Sequence, residues 1–306
     1  MYSNRVRDDV YKLRLRDFIQ GEYGLDIRNI SVAKRGFYGE TWKASSSKAH
    51  YFLKLVYANE HMGTYKQSLP VIQHLCDQGI DFIGQIVKTK RDGLWAYFDD
   101  AVLGVFEWIE GENIQTDETK IPEYEMLAKV YTIPYQGLDI TWEDFSNRYS
   151  DEFWVRWGGI DNRQITLLIE QKRKKLEHRT ERLKLFSTLC SADMTGFVIT
   201  HGDAGGNFFV GKNKNFILDW DGVMLAPPER DAWVMCGRSW VQNAFHKALC
   251  NNGIAYKLRP QRLAYYCYQF FFYYLNSFIA AESDADVIAE FLDGWIEDSF
   301  RWADAL

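Results

Sequence analysis

The chain has 306 residues, 47% of them hydrophobic and 25% charged, with a formal net charge of −6. That balance excludes disorder, collagen and coiled coil as whole-chain readings, and the acidic surplus argues against the clustered basic surface of a nucleic-acid binder. The length suits two domains, or one large fold divided into two lobes, and a 16% aromatic content points to a core built from rings.

Val6, Val10, Leu13 and Ile19 recur at roughly helical spacing and predict an opening helix ended by Gly21 and Gly24. Strands are expected at 30–35, 40–44 and 50–57, joined by the turns Gly36-Phe37-Tyr38-Gly39 and Ser45-Ser46-Ser47-Lys48. A helix over 69–76 stops at Gly79, further strands are expected at 85–89 and 94–98, and 102–109 is an apolar run. The first hundred residues therefore read as an antiparallel sheet with one internal helix. Helices dominate from about residue 123. One long helix is expected over 164–189, its basic run Lys172-Arg173-Lys174-Lys175 solvated beside Glu170, Glu177 and Glu181. The greasiest stretch, 263–279, contains Gln269, Asn276 and Ser277 and reads as a buried helix, not a membrane span. Val287, Ile288, Phe291, Leu292 and Trp295 mark a last helical stripe, with Ser283 and Asp286 as its cap. The fold class is α+β: a small antiparallel β-rich lobe, residues 1–106, followed by a larger helical lobe, residues 107–306.

The five cysteines, Cys76, Cys190, Cys236, Cys250 and Cys267, have neither zinc-finger nor redox-motif spacing, so buried free thiols in a reducing compartment are expected. With no apolar signal-peptide core near residue 1, a cytoplasmic, soluble protein without nucleic-acid or membrane partners is the expectation. Oligomeric state is not readable.

The chemistry concentrates in 199–231, ITHGDAGGNFFVGKNKNFILDWDGVMLAPPERD. Two apolar runs, 208–210 and 216–218, flank a polar five-residue turn, which predicts a hairpin. Symmetry about Asn213 would set Phe208 opposite Leu218 and Asn207 opposite Asp219, bringing an amide oxygen beside a carboxylate. Asp203 arrives at the same end on a glycine-rich loop. Oxygen donors without a Cys or His set suit Mg²⁺ and not zinc, and a nearby carboxylate free to take a proton completes the parts for phosphoryl transfer to an alcohol. Hydrolase motifs of the G-x-S-x-G or H-E-x-x-H type are absent from the sequence.

The H-G-D…N…D-W-D run resembles the catalytic and metal-binding segments of the aminoglycoside phosphotransferase family, which has a protein-kinase-like two-lobe fold, and A-P-P-E-R-D is similar to its spectinomycin phosphotransferase branch. The resemblance implies Asp203 as catalytic carboxylate, Asn207 and Asp219 as Mg²⁺ ligands, and His201 and Asp231 as structural supports of the loop. It implies Lys54 on the phosphates of ATP, with GTP the alternative donor, and Phe52, on the same strand face, over the adenine. Gly36 and Gly39 would belong to the phosphate-covering loop, Glu107 and Ile109 would offer hinge backbone to the adenine edge, and Leu218 would join the nucleotide site. Two departures from the pattern stand out. Only Ala204-Gly205-Gly206 separates Asp203 from Asn207, where kinases have four residues, and the glycines' backbone freedom is expected to absorb the difference. No acid lies between Thr64 and Leu75 to pair with Lys54, leaving Glu60 and Asp77 as the nearest.

The acceptor implied by the resemblance is a small-molecule hydroxyl, first of all on an aminocyclitol or aminoglycoside antibiotic, met by the helical lobe. The residues do not name it. Glu290, Asp293, Glu297 and Asp298 read as a solvated face, and Tyr265, Tyr266, Phe270 and Tyr273 as core packing. A metabolic kinase for an amino alcohol or sugar would share every catalytic residue; a non-catalytic nucleotide sensor would bind ATP without turnover.

Overall fold

The computed structural model describes residues 7–33, 39–57, 60–233 and 237–306. Val6, Gly36 and its turn partners Phe37 and Tyr38, and Cys236 lie outside the described residues. In chain order the elements are α1 (Asp9–Tyr23), β1 (Ile27–Val32), β2 (Glu40–Ser46), β3 (His50–Tyr57), α2 (Glu60–Asp77), β4 (Ala96–Phe98), β5 (Ala101–Glu107), β6 (Gly111–Asn113) and α3 (Asp117–Val130). Then come α4 (Arg148–Trp157), α5 (Arg163–Gln171), α6 (Arg173–Ser191), β7 (Val198–Thr200), α7 (Ala204–Asn207), β8 (Phe208–Gly211), β9 (Asn215–Ile217), a 3₁₀ turn Trp220–Gly222 and β10 (Met224–Ala226). Helices α8 (Glu229–Ala232), α9 (Ser239–Asn251), α10 (Pro260–Ala280), α11 (Ala285–Gly294) and α12 (Glu297–Asp304) close the chain. This is the α+β class expected, an antiparallel N-terminal sheet followed by helices.

Contacts divide the chain into two compact units. One joins the described residues from Arg7 to Thr141 with His201–Met224; the other joins Trp142–Thr200 with Leu225–Leu306.

In the first unit the antiparallel sheet runs β1-β2-β3-β5-β4. Alternation along each strand sends Trp42, Ala44, Leu53, Leu55, Leu103 and Val105 to one face, where α1 covers them. Helix α1 begins because the Asp8 carboxylate accepts the Tyr11 N–H at 2.8 Å, and it ends at Gly24, left-handed at φ 72°. Its buried face is Tyr11, Leu15, Ile19 and Tyr23, four residues apart. The expected stripe was misaligned: Val10 and Leu13 are 63% and 48% exposed, because tyrosines carry the packing that branched aliphatics were expected to supply. The other face of β3 carries Phe52 and Lys54. Residues 85–89 make only one bridge, Ile86 with Phe106, before turning at Thr89, so they do not form the strand expected there.

Where β2 starts, buried Glu40 collects four donors. Tyr11 Oη and Arg7 Nε lie at 2.7 Å, Tyr57 Oη at 2.8 Å and Trp42 Nε1 at 2.5 Å. Burial pushes the Glu40 carboxyl up, but the four hydrogen bonds outweigh it and hold its pKa below the ordinary value. The stabilisation is thus present above the unfolded carboxyl range and lost as pH falls through the folded value. Glu40→Gln is expected to lower stability at pH 7 by about 2 kcal/mol. Urea melts of variant and wild type should converge below pH ~4, and a gap independent of pH would refute this account.

In the second unit α10 is the axis, packed on by α4, α6, α8, α11 and α12. Tyr265 and Tyr266 are fully buried, their hydroxyls donating to Ser146 O at 2.7 Å and Glu143 Oε2 at 3.0 Å. Phe270 and Tyr273 are half-buried, Phe270 stacked 4.5 Å from Trp233. The helix expected at 164–189 is two helices. It breaks at Lys172 (φ −95°, ψ 4°), whose amide is shared between the Leu168 and Ile169 carbonyls. Arg173 pairs with Glu170 and Glu177, as the spacing predicted. Lys172 instead pairs with Asp293, and Lys175 and Arg179 meet Glu297 at 2.6 and 2.7 Å. Glu290, Asp293 and Asp298 lie on the exposed face expected, with Asp293 paired there to Lys172, whereas Glu297 is half-buried between Lys175 and Arg179. The last stripe buries Ile288, Phe291 and Leu292, with Asp284 at the cap position in place of Ser283. Among the described residues Cys190 and Cys267 are buried, Cys76 is half-buried and Cys250 is exposed, so the expectation of uniformly buried thiols fails at the last two. No helix of the described residues is long and apolar enough to cross a membrane.

Candidate active site

The hairpin forms one residue out of the expected register. Phe208 faces Ile217 and Val210 faces Asn215, because Gly211 N–H donates to Lys214 O and tightens the loop to Lys212-Asn213. Asn207 consequently sits across from Leu218, whose N–H donates to its carbonyl at 3.0 Å, and Asp219 falls one residue beyond the ladder. Asp219 is left-handed, φ 62° and ψ 57°, a conformation that Asp tolerates better than most side chains. The 3₁₀ turn that follows buries Trp220 and sets carboxylates at 219 and 221 on either side of it.

Both carboxylates converge on Lys54. Its Nζ lies 2.6 Å from Asp219 Oδ1 and 2.6 Å from Asp221 Oδ2. Burial pulls the Lys54 ammonium down, but the two negative charges outweigh it and raise its pKa. The Lys54 charge holds Asp219 below the usual carboxylate value against burial. Burial dominates at Asp221 and, with the Asp219 charge, pushes it up to about 6 despite Lys54. The partners of Lys54 are thus Asp219 and Asp221; α2 sets Tyr65 below it, the ammonium 5.6 Å from the ring centroid.

Buried His201 ties the hairpin to the loop before it. Its Nε2 is 2.8 Å from Leu218 O, its Nδ1 accepts the Asp203 N–H at 3.1 Å, and its ring packs edge-on to Trp220. Those partners define the tautomer with the proton on Nε2. Asp203 is exposed and precedes the single turn Ala204–Asn207. Asn207 Nδ2 donates to Asp203 O at 2.9 Å and approaches Asp203 Oδ2 at 3.5 Å, which leaves Oδ1 as the oxygen the amide can turn to a cation. A carboxylate at 219 and an amide oxygen at 207 are hard donors of the kind that could hold Mg²⁺. Among the described residues no cluster of three or more His, Cys, Asp or Glu side chains is arranged for a metal.

The remaining expected residues are distributed around this centre. A Cβ on Gly39 would lie 3.0 Å from Leu55 O and 3.7 Å from Lys54 Cε, so this glycine lies close against β3 near the lysine stem. Phe52 lies 6.4 Å from Phe106 and 6.5 Å from Trp108, ring to ring. Glu107 N–H donates to Gln85 O and Trp108 N–H to His50 O. Glu107 and Ile109 line an open cavity of about 400 Å³ with Ile83, Trp108, Lys212 and Phe216, whose lining includes neither Phe52, Lys54 nor Leu218. Asp231 is buried in α8. Strand β6, which the sequence did not suggest, pairs with β8 and brings Asn113 Nδ2 to Gly206 O at 2.7 Å. Asp221 was legible in D-W-D but had no role until the turn brought it to Lys54.

An antiparallel sheet whose central lysine meets a D-x-D turn, beside a His-braced Asp loop, defines a kinase-like phosphotransferase. The chain belongs to the phosphotransferase enzyme family, which it matches over residues 29–266. It is a small-molecule kinase with an alcohol group as acceptor. No curated protein matches the sequence. Among solved structures it is similar to spectinomycin phosphotransferase APH(9)-Ia in complex with ADP and spectinomycin, with 20% identity, a TM-score of 0.71, and coverage of 96% of this chain and 93% of that one. It is also similar to choline kinase LicA from Streptococcus pneumoniae, with 12% identity, TM-score 0.66 and coverage of 98% and 100%. A third is the microcompartment-associated aminopropanol kinase, with 12% identity, TM-score 0.69 and coverage of 97% and 98%. These likenesses establish the protein-kinase-like fold.

Proposed function

We propose that this kinase transfers the γ-phosphoryl group of ATP to a hydroxyl of an aminocyclitol or aminoglycoside. Residues 1–106 serve the nucleotide and 107–306 supply the catalytic loop and acceptor pocket. The observation that carries the reading is Lys54, delivered by β3 to within 2.6 Å of both Asp219 and Asp221. Asp203, on the loop that His201 braces, orients the acceptor hydroxyl and takes its proton. The hydroxyl oxygen then bonds to the γ-phosphorus as the bond to the bridging β–γ oxygen breaks, and ADP leaves. Lys54 holds the α/β-phosphates; Gly36 and Gly39 cover them; Phe52, Leu218 and the backbone at Glu107 and Ile109 receive the base; Asp231 supports the loop. Asn207 and Asp219 would hold Mg²⁺, which supplies neutralising charge to the phosphates when bound. Most of the acceleration then comes from positioning and charge. A cytoplasmic, antibiotic-inactivating role follows if the acceptor is an antibiotic.

A specific observation favours a second acceptor class. Of the acids that a polycationic drug would seek on the last helices, Asp293 pairs with Lys172, Glu297 with Lys175 and Arg179, and Asp298 with Arg301. A singly charged amino alcohol, or a sugar, makes a smaller demand on carboxylates. ADP release from Mg·ATP, measured with spectinomycin, aminoglycosides, amino alcohols and sugars, separates the two. Turnover with spectinomycin or an aminoglycoside is expected. Turnover confined to amino alcohols or sugars would overturn the antibiotic reading, and ATP binding without turnover across the panel would point to a nucleotide sensor.

A further inference from the structure

One buried pair in the first unit stands beside the catalytic loop without a part in that scheme. Lys120 and Glu123 lie one turn apart on α3, Nζ to Oε2 at 2.9 Å, with side chains 14% and 1% exposed. Helix α3 packs on the loop turn Ala204–Asn207. A Cβ on Gly205 would fall 2.6 Å from Lys120 Nζ and 3.9 Å from Glu123 Oε1. A Cβ on Gly206 would fall 3.2 Å from Asp203 Oδ1. The space that a side chain at 205 would enter is therefore filled by the Lys120 ammonium, and the space at the next residue, 206, by the Asp203 carboxylate. Asn113 holds the neighbouring Gly206 carbonyl, so the segment carrying β6 and α3 grips both glycines.

Phosphoryl transfer needs positive charge around the moving group, and Lys54 is shared with two carboxylates on the hairpin side. We propose that Lys120 is a positioning residue for the transfer, supplying from α3 the positive charge beside Asp203 that the glycine loop cannot carry itself. Glu123, buried beneath it, sets where the ammonium stands. The two glycines are then the counterpart of the lysine: the loop is short and bare because the cation comes from α3. This inference rests on the kinase reading of the same site.

The test is binding, so it does not depend on knowing the acceptor. Mg·ADP and Mg·ADP with aluminium fluoride, which mimics the phosphoryl group in transit, are titrated calorimetrically into full-length wild type, Lys120→Met, Lys120→Arg and the double variant Lys120→Met/Glu123→Gln. Lys120→Met should weaken the aluminium fluoride complex about tenfold or more while changing ADP binding by less than about threefold, and Lys120→Arg should recover most of the loss. Lys120→Met also leaves the buried Glu123 carboxylate without its lysine and lowers the melting temperature; the double variant should restore melting but not aluminium fluoride binding. Recovery of both in the double variant would reduce Lys120 to a structural counter-ion and overturn the proposal. Equal aluminium fluoride binding by wild type and Lys120→Met would overturn it alone, whereas wild type that binds no ADP would overturn the nucleotide reading and this inference together.

Discussion

Asp203→Asn is expected to reduce acceptor-dependent ADP release by about 10³-fold while leaving fold and ADP binding in place. The substitution nearly keeps the side chain's shape while removing its negative charge and its capacity to accept a proton. The loop is held through atoms that the variant retains: the residue 203 N–H still reaches His201 Nδ1, and its carbonyl still accepts Asn207 Nδ2. Asp203 is exposed, so no buried charge is relieved or stranded and melting should shift little. Steady-state turnover, calorimetric ADP titration and a thermal melt on one preparation check the three parts. Turnover within about threefold of wild type would remove Asp203 from the proposed chemistry.

Lys54→Met is expected to cost about 10²-fold in kcat/KM for ATP, because one fixed positive charge on the phosphates is lost. It should also lower stability. The substitution leaves Asp219 and Asp221 close together without the cation between them, and breaking a buried pair in this way commonly costs about 3–5 kcal/mol. Here the carboxylates are 47% and 29% exposed, so water screens them and a loss of about 1–2 kcal/mol is the expectation. Adding Asp221→Asn to Lys54→Met removes the like-charge contact and should recover stability without recovering activity. A single variant that melts normally and keeps its KM for ATP would show that the three-residue cluster is ornamental to nucleotide use.

Much of the candidate site is legible in the sequence because its residues are close together in the chain. His201, Asp203, Asn207 and Asp219 lie within one short segment, and a hairpin must return its ends to one another whatever the remainder of the chain does. The error was one of register. Counting apolar residues predicted a five-residue turn, whereas the Gly211–Lys214 hydrogen bond closed a two-residue one and moved Asp219 out of the ladder into a left-handed turn. That shift aims Asp219 and Asp221 together at Lys54. The partner of Lys54 is not its neighbour in the chain: Asp219 comes from 165 residues away.

The elements divide along similar lines. Strand β3 is readable to the residue because alternation and aromatic content agree over His50–Tyr57. Helix α1 was readable as a helix but not in its buried face, since Tyr11 and Tyr23 bury rings whose polar tips found Glu40 and the Leu103 carbonyl. Strand β6 has no apolar pattern and exists because β8 offers it an edge.

What the sequence by itself determined was therefore the class, an α+β kinase-like phosphotransferase, and it singled out Asp203, Asn207, Asp219 and Lys54 as the residues proposed for its site, all carried by local patterns and one compact motif. The tertiary structure alone decided which charges meet. Lys54 with Asp219 and Asp221, and Lys172, Lys175 and Arg179 with the last carboxylates, are pairs between distant segments. Periodicity reports which face of an element is buried, but an ion pair depends on the register and packing of two elements at once, and a one-residue slip exchanges every partner.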